Sequence, residues 1–338
     1  MPSQEAPVMP AYVQIEPVGQ CNLRCRMCAA QLRSDGPGGG RPAFMEFTAF
    51  TRIIDQLPSL REVHLQGLGE PTMHPSLWSM VAYAAGRGIR VTTNSNLTIL
   101  SRRQGESCVA SGLDSLSVSI DGATAETYQH IRTGSRLDRV LRNLKSLLEI
   151  RSQMGKEQPH LRLVVVAMRR NLHELPALVR LAREWRMEAV FVQHLCHDFT
   201  EASLPDQYGP MKEFVATETL LGEDRDRVDK YFASARSIAY ELGIDLRLPR
   251  VEPLSHPPGT AGYDRCDWPW KGMYISYQGY AMPCCMVGTP DRINFGNVFD
   301  RDLASIWNGS KYRKFRHRLS SESPPEICGA CSVYRHTF

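Results

Sequence analysis

Ten cysteines stand in 338 residues, and they are unevenly placed. Three fall within the eight-residue run CNLRCRMC, at Cys21, Cys25 and Cys28. Cys108 and Cys196 stand alone, and five more lie in the last 73 residues: Cys266, Cys284, Cys285, Cys328 and Cys331. Three thiolates on one loop can wrap one metal centre. Structural zinc normally takes four protein ligands in two separated pairs. A [4Fe–4S] cluster held by only three cysteines keeps one iron open to an outside ligand. The C-terminal set has a different grammar. Cys266 is followed by twelve residues, Gly279, four more residues and Cys284, and CGAC then supplies Cys328 and Cys331. Four thiolates from separated loops read as a closed metal site, and thiolate softness admits zinc and iron–sulfur alike.

These residues need elements to hold them. Short β-type runs occur at 12–18, 62–68, 89–95, 115–120, 161–168 and 189–195. Helical patterns lie between them at 48–57, 74–88, 136–155 and 172–185, the third with Val140, Leu144 and Leu147 on one stripe. Strands rich in Val, Ile and Leu that alternate with helices predict a parallel sheet covered by helices. Six such units predict an open, partial barrel rather than a closed eight-unit one. CNLRCRMC directly follows the first strand, where the active sites of such sheets open.

The alternation stops after residue 197. The expected organisation is a tail over 1–10, the partial barrel over 11–197, a connecting helical and loop region over 198–260, and a small cysteine-bearing module over 261–338. That module has little core of its own, so a metal could stabilise it. GPGGG (36–40) reads as a flexible loop.

Composition narrows the class. The formal charge of +4 is too small to imply nucleic acid as the partner. No basic start followed by an apolar stretch marks a secretory signal, and no apolar run nears 18 residues. A cytoplasmic protein without a membrane partner is expected, in which clustered cysteines mean metal or redox chemistry rather than disulfides.

CNLRCRMC resembles the cluster motif of the radical S-adenosylmethionine (SAM) enzymes. The resemblance implies that Cys21, Cys25 and Cys28 hold a [4Fe–4S] cluster whose open iron chelates SAM. One electron then yields a 5′-deoxyadenosyl radical that abstracts hydrogen from the substrate. QGLGEP (66–71) resembles the family's SAM-amine element. Gly67 and Gly69 would let the backbone approach the ligand, and Glu70 would offer a carboxylate to its ammonium group. Asn94, in TTNSN, would contact SAM, although Ser95 stands where the family usually has glycine. Ser119 and Asp121 would face the ribose, and Arg132 would reach the SAM carboxylate.

The C-terminal pattern resembles the twitch form of the SPASM domain. It implies one auxiliary [4Fe–4S] cluster on Cys266, Cys284, Cys328 and Cys331. The basic end of 293–316 reads as a solvated helix face. Cys285 is then surplus, either a hydrogen-atom donor or a small apolar packer. His194 and His197 read as packing or surface residues.

At this level the chain is similar to the deoxy-scyllo-inosamine dehydrogenase and aminoglycoside-epimerase type. That similarity implies hydrogen abstraction from a small polyhydroxylated substrate such as a sugar, aminocyclitol or nucleoside. Oxidation would follow, with the auxiliary cluster as electron acceptor and a flavodoxin- or ferredoxin-type protein as external donor. Three other readings stand beside it: a radical epimerase, a peptide-modifying maturase, and a non-enzymatic zinc-binding protein. Only about ten residues precede the first strand, which is short for a leader-binding domain.

Overall fold

A computed structural model describes residues 9–36 and 43–338. Most of the expected tail, and residues 37–40 of the glycine-rich loop, lie outside the described residues. Six strands run parallel in chain order: β1 (Tyr12–Ile15), β2 (Glu62–Leu65), β3 (Arg90–Ser95), β4 (Ser115–Ser119), β5 (His160–Val166) and β6 (Ala189–Gln193). Their Val and Leu side chains are buried except for Val166 at the end of β5, as expected for strands between helices and a filled interior. The fold is α/β, a partial (β/α)6 barrel with a small C-terminal iron–sulfur-type module.

The intervening helices follow from apolar stripes. Helix Leu137–Gln153 buries Val140, Leu144, Leu147 and Ile150 on one side. Helix Arg102–Ala110 was not anticipated, because RRQGESCVA is polar and holds a glycine. Ser101 and Gln104 form a reciprocal capping box at its start. Gly105 lets it approach Leu137–Gln153 closely, since a Cβ there would stand 2.8 Å from Ile150 Cδ1. Cys108, on the same helix, is a fully buried packing residue.

Two features differ from the expected organisation. The segment 198–260 is not only a connector: it supplies helices Gly209–Glu218 and Arg225–Leu242 and a further strand, β7 (Asp245–Arg247), parallel to β6. The C-terminal module does not stand apart either. Its strand β8 (Gly272–Ile275) pairs in parallel with β1, and β9 (Tyr280–Met282) and β10 (Gly296–Asn297) continue outward antiparallel. One sheet therefore runs β10-β9-β8-β1-β2-β3-β4-β5-β6-β7. Gly279 makes the β8–β9 turn at φ 86°, a conformation that favours glycine.

The basic end of 293–316 is not wholly solvated. Arg316 is 1 % exposed, lies between the Trp307 and Tyr312 rings, and donates to the Pro269 and Trp307 carbonyls at 2.7 and 3.0 Å. Burial pulls its pKa down to about 10. Among the described residues, no helix is long and apolar enough to cross a membrane.

Candidate functional site

All six barrel strands deliver residues to one cavity of about 260 Å³ at their carboxyl ends. Cys21, Cys25 and Cys28 come from the loop after β1, and Gly67, Gly69 and Glu70 from the loop after β2. Asn94 is the penultimate residue of β3, Ser119 ends β4, and Val166 and Gln193 end β5 and β6. Arg132 lines the same space. The structure thus brings together every residue expected at the N-terminal site except Asp121.

Asp121 departs from its expected position facing a ligand. It is fully buried and does not line the cavity. One carboxylate oxygen accepts the Val166 N–H at 2.7 Å, and the other pairs with Arg132 Nε at 2.6 Å. The aspartate therefore holds the arginine. Burial opposes the Arg132 charge, but Asp121 and Cys25 outweigh it and the pKa is raised. Arg132 Nη1 stands 4.0 Å from Cys25 Sγ.

Glu70 is also more occupied than expected. Its carboxylate, 3 % exposed, accepts from Thr72 N–H, Thr72 O–H, Ser95 O–H and the Asn96 N–H, at 3.1, 2.6, 2.8 and 2.8 Å. It therefore fastens the loop after β2 to the end of β3. Ser95 finds a use here that glycine could not supply. The space that a Cβ would need at the two glycines of GLGE is taken by protein. A Cβ on Gly67 would meet Glu16 Cγ at 2.3 Å, and one on Gly69 would meet the Val18 carbonyl oxygen at 2.0 Å.

Asn96 lines the cavity and was missed. Its Nδ2 lies 3.9 Å from Cys21 Sγ and donates to Asn22 Oδ1 at 3.1 Å. The second asparagine of TTNSN was the available signal. The Leu23 N–H also points at Cys21 Sγ, at 3.4 Å. Backbone and side-chain donors aimed at sulfur suit thiolate ligands of an iron–sulfur cluster. Burial pushes the bare Cys21 thiol up to about 11 and Cys28 up to about 12, so cluster assembly must displace protons.

Cys266, Cys284, Cys328 and Cys331 gather around a second, apolar pocket walled by Trp268, Pro269 and Phe315. Burial and then the neighbouring cysteines, Cys285, Cys331, Cys266 and Cys328, raise the Cys284 thiol. Burial pushes Cys266 up to about 12 and Cys331 up to about 11. Four soft donors in a water-poor pocket fit a closed cluster. The adjacent Cys284 and Cys285 divide between the sites: Cys284 lines this pocket, whereas Cys285 lines the main cavity.

Cys196 also lines the main cavity, just past β6. Its carbonyl accepts from the Ser332 N–H and O–H at 3.2 and 2.9 Å, and His197 bridges to Cys331. The end of β6 is thereby tied to the C-terminal cysteine loop. His194 and His197 are buried, and burial pulls both down to about 4, so both are neutral.

One side of the main cavity is mostly apolar, with Met27, Val166, Leu195, Phe199, Met211 and Val215. Several of its polar groups are already engaged, although Arg292 Nε has no hydrogen-bond partner. Tyr208 and Thr289 hydroxyls bond at 2.6 Å, and Arg292 is paired with Glu201.

Comparison with known proteins agrees with both halves. Residues 15–154 match the radical SAM superfamily, and residues 266–332 match SPASM, an iron–sulfur cluster-binding domain. The chain is 26 % identical to a tungsten-containing aldehyde ferredoxin oxidoreductase cofactor-modifying protein of Pyrococcus furiosus, covering 95 % of this chain and 87 % of that one. It is also 26 % identical to the PqqA peptide cyclase of Xanthomonas campestris, over 95 % of this chain and 79 % of the relative. Streptococcus suis SuiB, solved with SAM, superposes with a TM-score of 0.70 at 17 % identity, covering 97 % of this chain and 72 % of SuiB. These similarities do not single out the aminocyclitol branch.

Proposed function

From the premise that residues 15–154 form a radical SAM domain and residues 266–332 a SPASM domain, the chain being an enzyme that uses SAM and iron–sulfur clusters, we propose that it abstracts hydrogen from an apolar side chain of a peptide substrate. The observation that carries this reading is the mostly apolar wall of the cavity beyond the cysteine loop, where Tyr208, Thr289 and Arg292 are already paired. A hydroxyl-rich sugar or aminocyclitol would leave several hydroxyls without partners there. Similarity to the PqqA peptide cyclase supports the same class.

We assign the residue roles accordingly. Cys21, Cys25 and Cys28 hold the cluster that binds SAM, and Cys266, Cys284, Cys328 and Cys331 hold one auxiliary cluster. Loaded, the two sites supply reductive cleavage of SAM to a 5′-deoxyadenosyl radical and one-electron storage. Arg132, kept charged by Asp121, binds the SAM carboxylate. Asn94 and Ser119 offer amide and hydroxyl groups to the rest of SAM. Glu70 orients the loop whose glycines lie against it. Met27, Phe199 and Met211 exclude water from the reacting carbon. Cys285 stands where its S–H could meet the substrate. A one-electron donor of flavodoxin or ferredoxin type completes the cycle.

The test is isotope transfer. Reconstituted enzyme is given SAM, reductant and two panels, peptides with side-chain-deuterated Leu, Val, Phe or Tyr, and carbon-deuterated sugars and aminocyclitols. Deuterium in 5′-deoxyadenosine from the peptide panel is the expected result. Transfer only from the sugar panel would restore the polyhydroxylated substrate.

A further inference from the structure

A buried charged cluster lies just outside the cavity, and the functional reading does not use it. Glu16 directly follows β1, and its side chain is 0 % exposed. Arg33 lies five residues past Cys28, with its side chain 1 % exposed. The two pair through both guanidinium Nη atoms, Nη1 to Oε1 at 2.8 Å and Nη2 to Oε2 at 3.1 Å. Such a fork is specific to arginine, because a lysine ammonium cannot present two parallel donors.

Three segments converge on this pair. The Leu68 N–H, between the two glycines after β2, donates to Glu16 Oε1 at 3.0 Å. Arg33 Nη1 donates back to the Gly19 carbonyl at 3.3 Å, just before the cysteine run. Tyr277, in the β8–β9 turn, donates its N–H to Glu16 Oε2 at 3.4 Å and its O–H to the Asp35 carbonyl. Asp35 in turn accepts from Arg33 Nε and Nη2 at 2.8 and 2.9 Å. The fit leaves no slack. The Tyr277 ring fills the place a Cβ on Gly19 would take, 2.2 Å away, and the Arg33 guanidinium stands 5.3 Å from that ring's centre.

We propose that the Glu16–Arg33 pair, closed by Tyr277 from the C-terminal module, is a positioning element that sets the loop after β2 in register with the cysteine loop for SAM binding. The inference rests on the reading that these two loops hold the cluster and SAM. Glu16, Arg33, Asp35 and Tyr277 do not line the cavity. Any effect they have on SAM must therefore pass through Leu68, Gly19 and the backbone between them. The carboxylate is a single acceptor shared by the SAM loop, the arginine after the cysteines and the C-terminal module. Loss of the Arg33 charge leaves Glu16 buried and uncompensated, whereas loss of the Glu16 charge leaves Arg33 paired with Asp35 alone; in either case the loops lose a shared partner and relax. The same device makes the seating of the C-terminal module a condition for a well-formed SAM site.

The experiment compares the cluster-loaded wild type with Tyr277→Phe, Arg33→Lys and Glu16→Gln. Four quantities are measured: iron content, melting temperature, SAM dissociation constant by equilibrium dialysis, and the change in the reduced-cluster EPR spectrum on adding SAM. Tyr277→Phe is the mildest change and keeps the ring, so it guards against simple loss of folding. Arg33→Lys is expected to keep its iron yet weaken SAM binding about tenfold, through loss of the fork. Tyr277→Phe is expected to weaken it about threefold, for one lost hydrogen bond. Both should blunt the SAM-induced EPR change. SAM affinity within twofold of wild type in both variants, whatever the melting temperature does, would mean a purely structural ion pair and overturn the inference. If loaded wild type binds no SAM at all, the reading of the two loops fails first and this inference with it.

Discussion

Cys21, Cys25 and Cys28 sit on one loop at the wall of a cavity, with Leu23, Asn96 and Arg132 presenting donors to their sulfurs. Cys266, Cys284, Cys328 and Cys331 come from three separate segments and line an apolar pocket. The difference teaches what ligand number and surroundings do to the same donor atom. Three thiolates beside polar side chains would leave a cluster one free coordination position and a means of recognising what fills it. Four thiolates in an apolar pocket would leave none, and a cluster held there could only exchange electrons. The two sites are not independent, because β8 pairs with β1 and the Cys328–Cys331 loop bonds to the end of β6.

The largest effect tests the open site. Cys21→Ala should abolish SAM cleavage and lower iron from about eight to about four per chain, measured by iron assay and 5′-deoxyadenosine yield. The contrast would break if that variant still cleaved SAM. Cys284→Ala should lower iron by the same amount yet leave SAM cleavage measurable, with 5′-deoxyadenosine formed in excess over product. Loss of both activities in equal degree would erase the distinction between the sites. Arg132→Lys should raise the SAM dissociation constant about tenfold while iron content stays at the wild-type value. Cys285→Ala should keep both clusters and raise the ratio of 5′-deoxyadenosine to product; an unchanged ratio would make Cys285 a packing residue.

The smallest effect concerns stability. The His194 imidazole accepts from the Leu220 N–H at 3.0 Å, and burial pulls its pKa from 6.5 down to about 4. The unfolded chain therefore binds the proton first as pH falls. The histidine's contribution is fully present above pH 6.5 and is lost between 6.5 and about 4. His194→Gln should flatten the fall of melting temperature across that window, and a curve as steep as wild type would place the acid sensitivity elsewhere.

The barrel strands were legible because β-branched and apolar residues recur in short runs, as in HLRLVVV, or alternate with polar ones, as in SLSVS, between helical stretches. The helix Arg102–Ala110 was not, since its stability comes from a cap and a close helix contact through Gly105 rather than from an apolar stripe. β8 was not legible either. Four residues gain strand character only by pairing with β1, some 260 positions away in sequence. Residue spacing singled out both cysteine sets and favoured Cys284 over Cys285, and the structure puts those two thiols on different pockets. Burial direction was invisible, so Asp121 read as a ligand contact when it is the partner of Arg132. Glu16 carried no signal, because its role exists only where three distant segments meet on one carboxylate.

The most direct measurement is EPR of the anaerobically reconstituted, reduced protein with and without SAM, in wild type and in the triple variant Cys21→Ala, Cys25→Ala, Cys28→Ala. Wild type should show two cluster signals, of which one changes on adding SAM. The triple variant should retain about four iron per chain and a single signal indifferent to SAM. A SAM-responsive signal in the triple variant, or a triple variant empty of iron, would contradict the division into one open and one closed site.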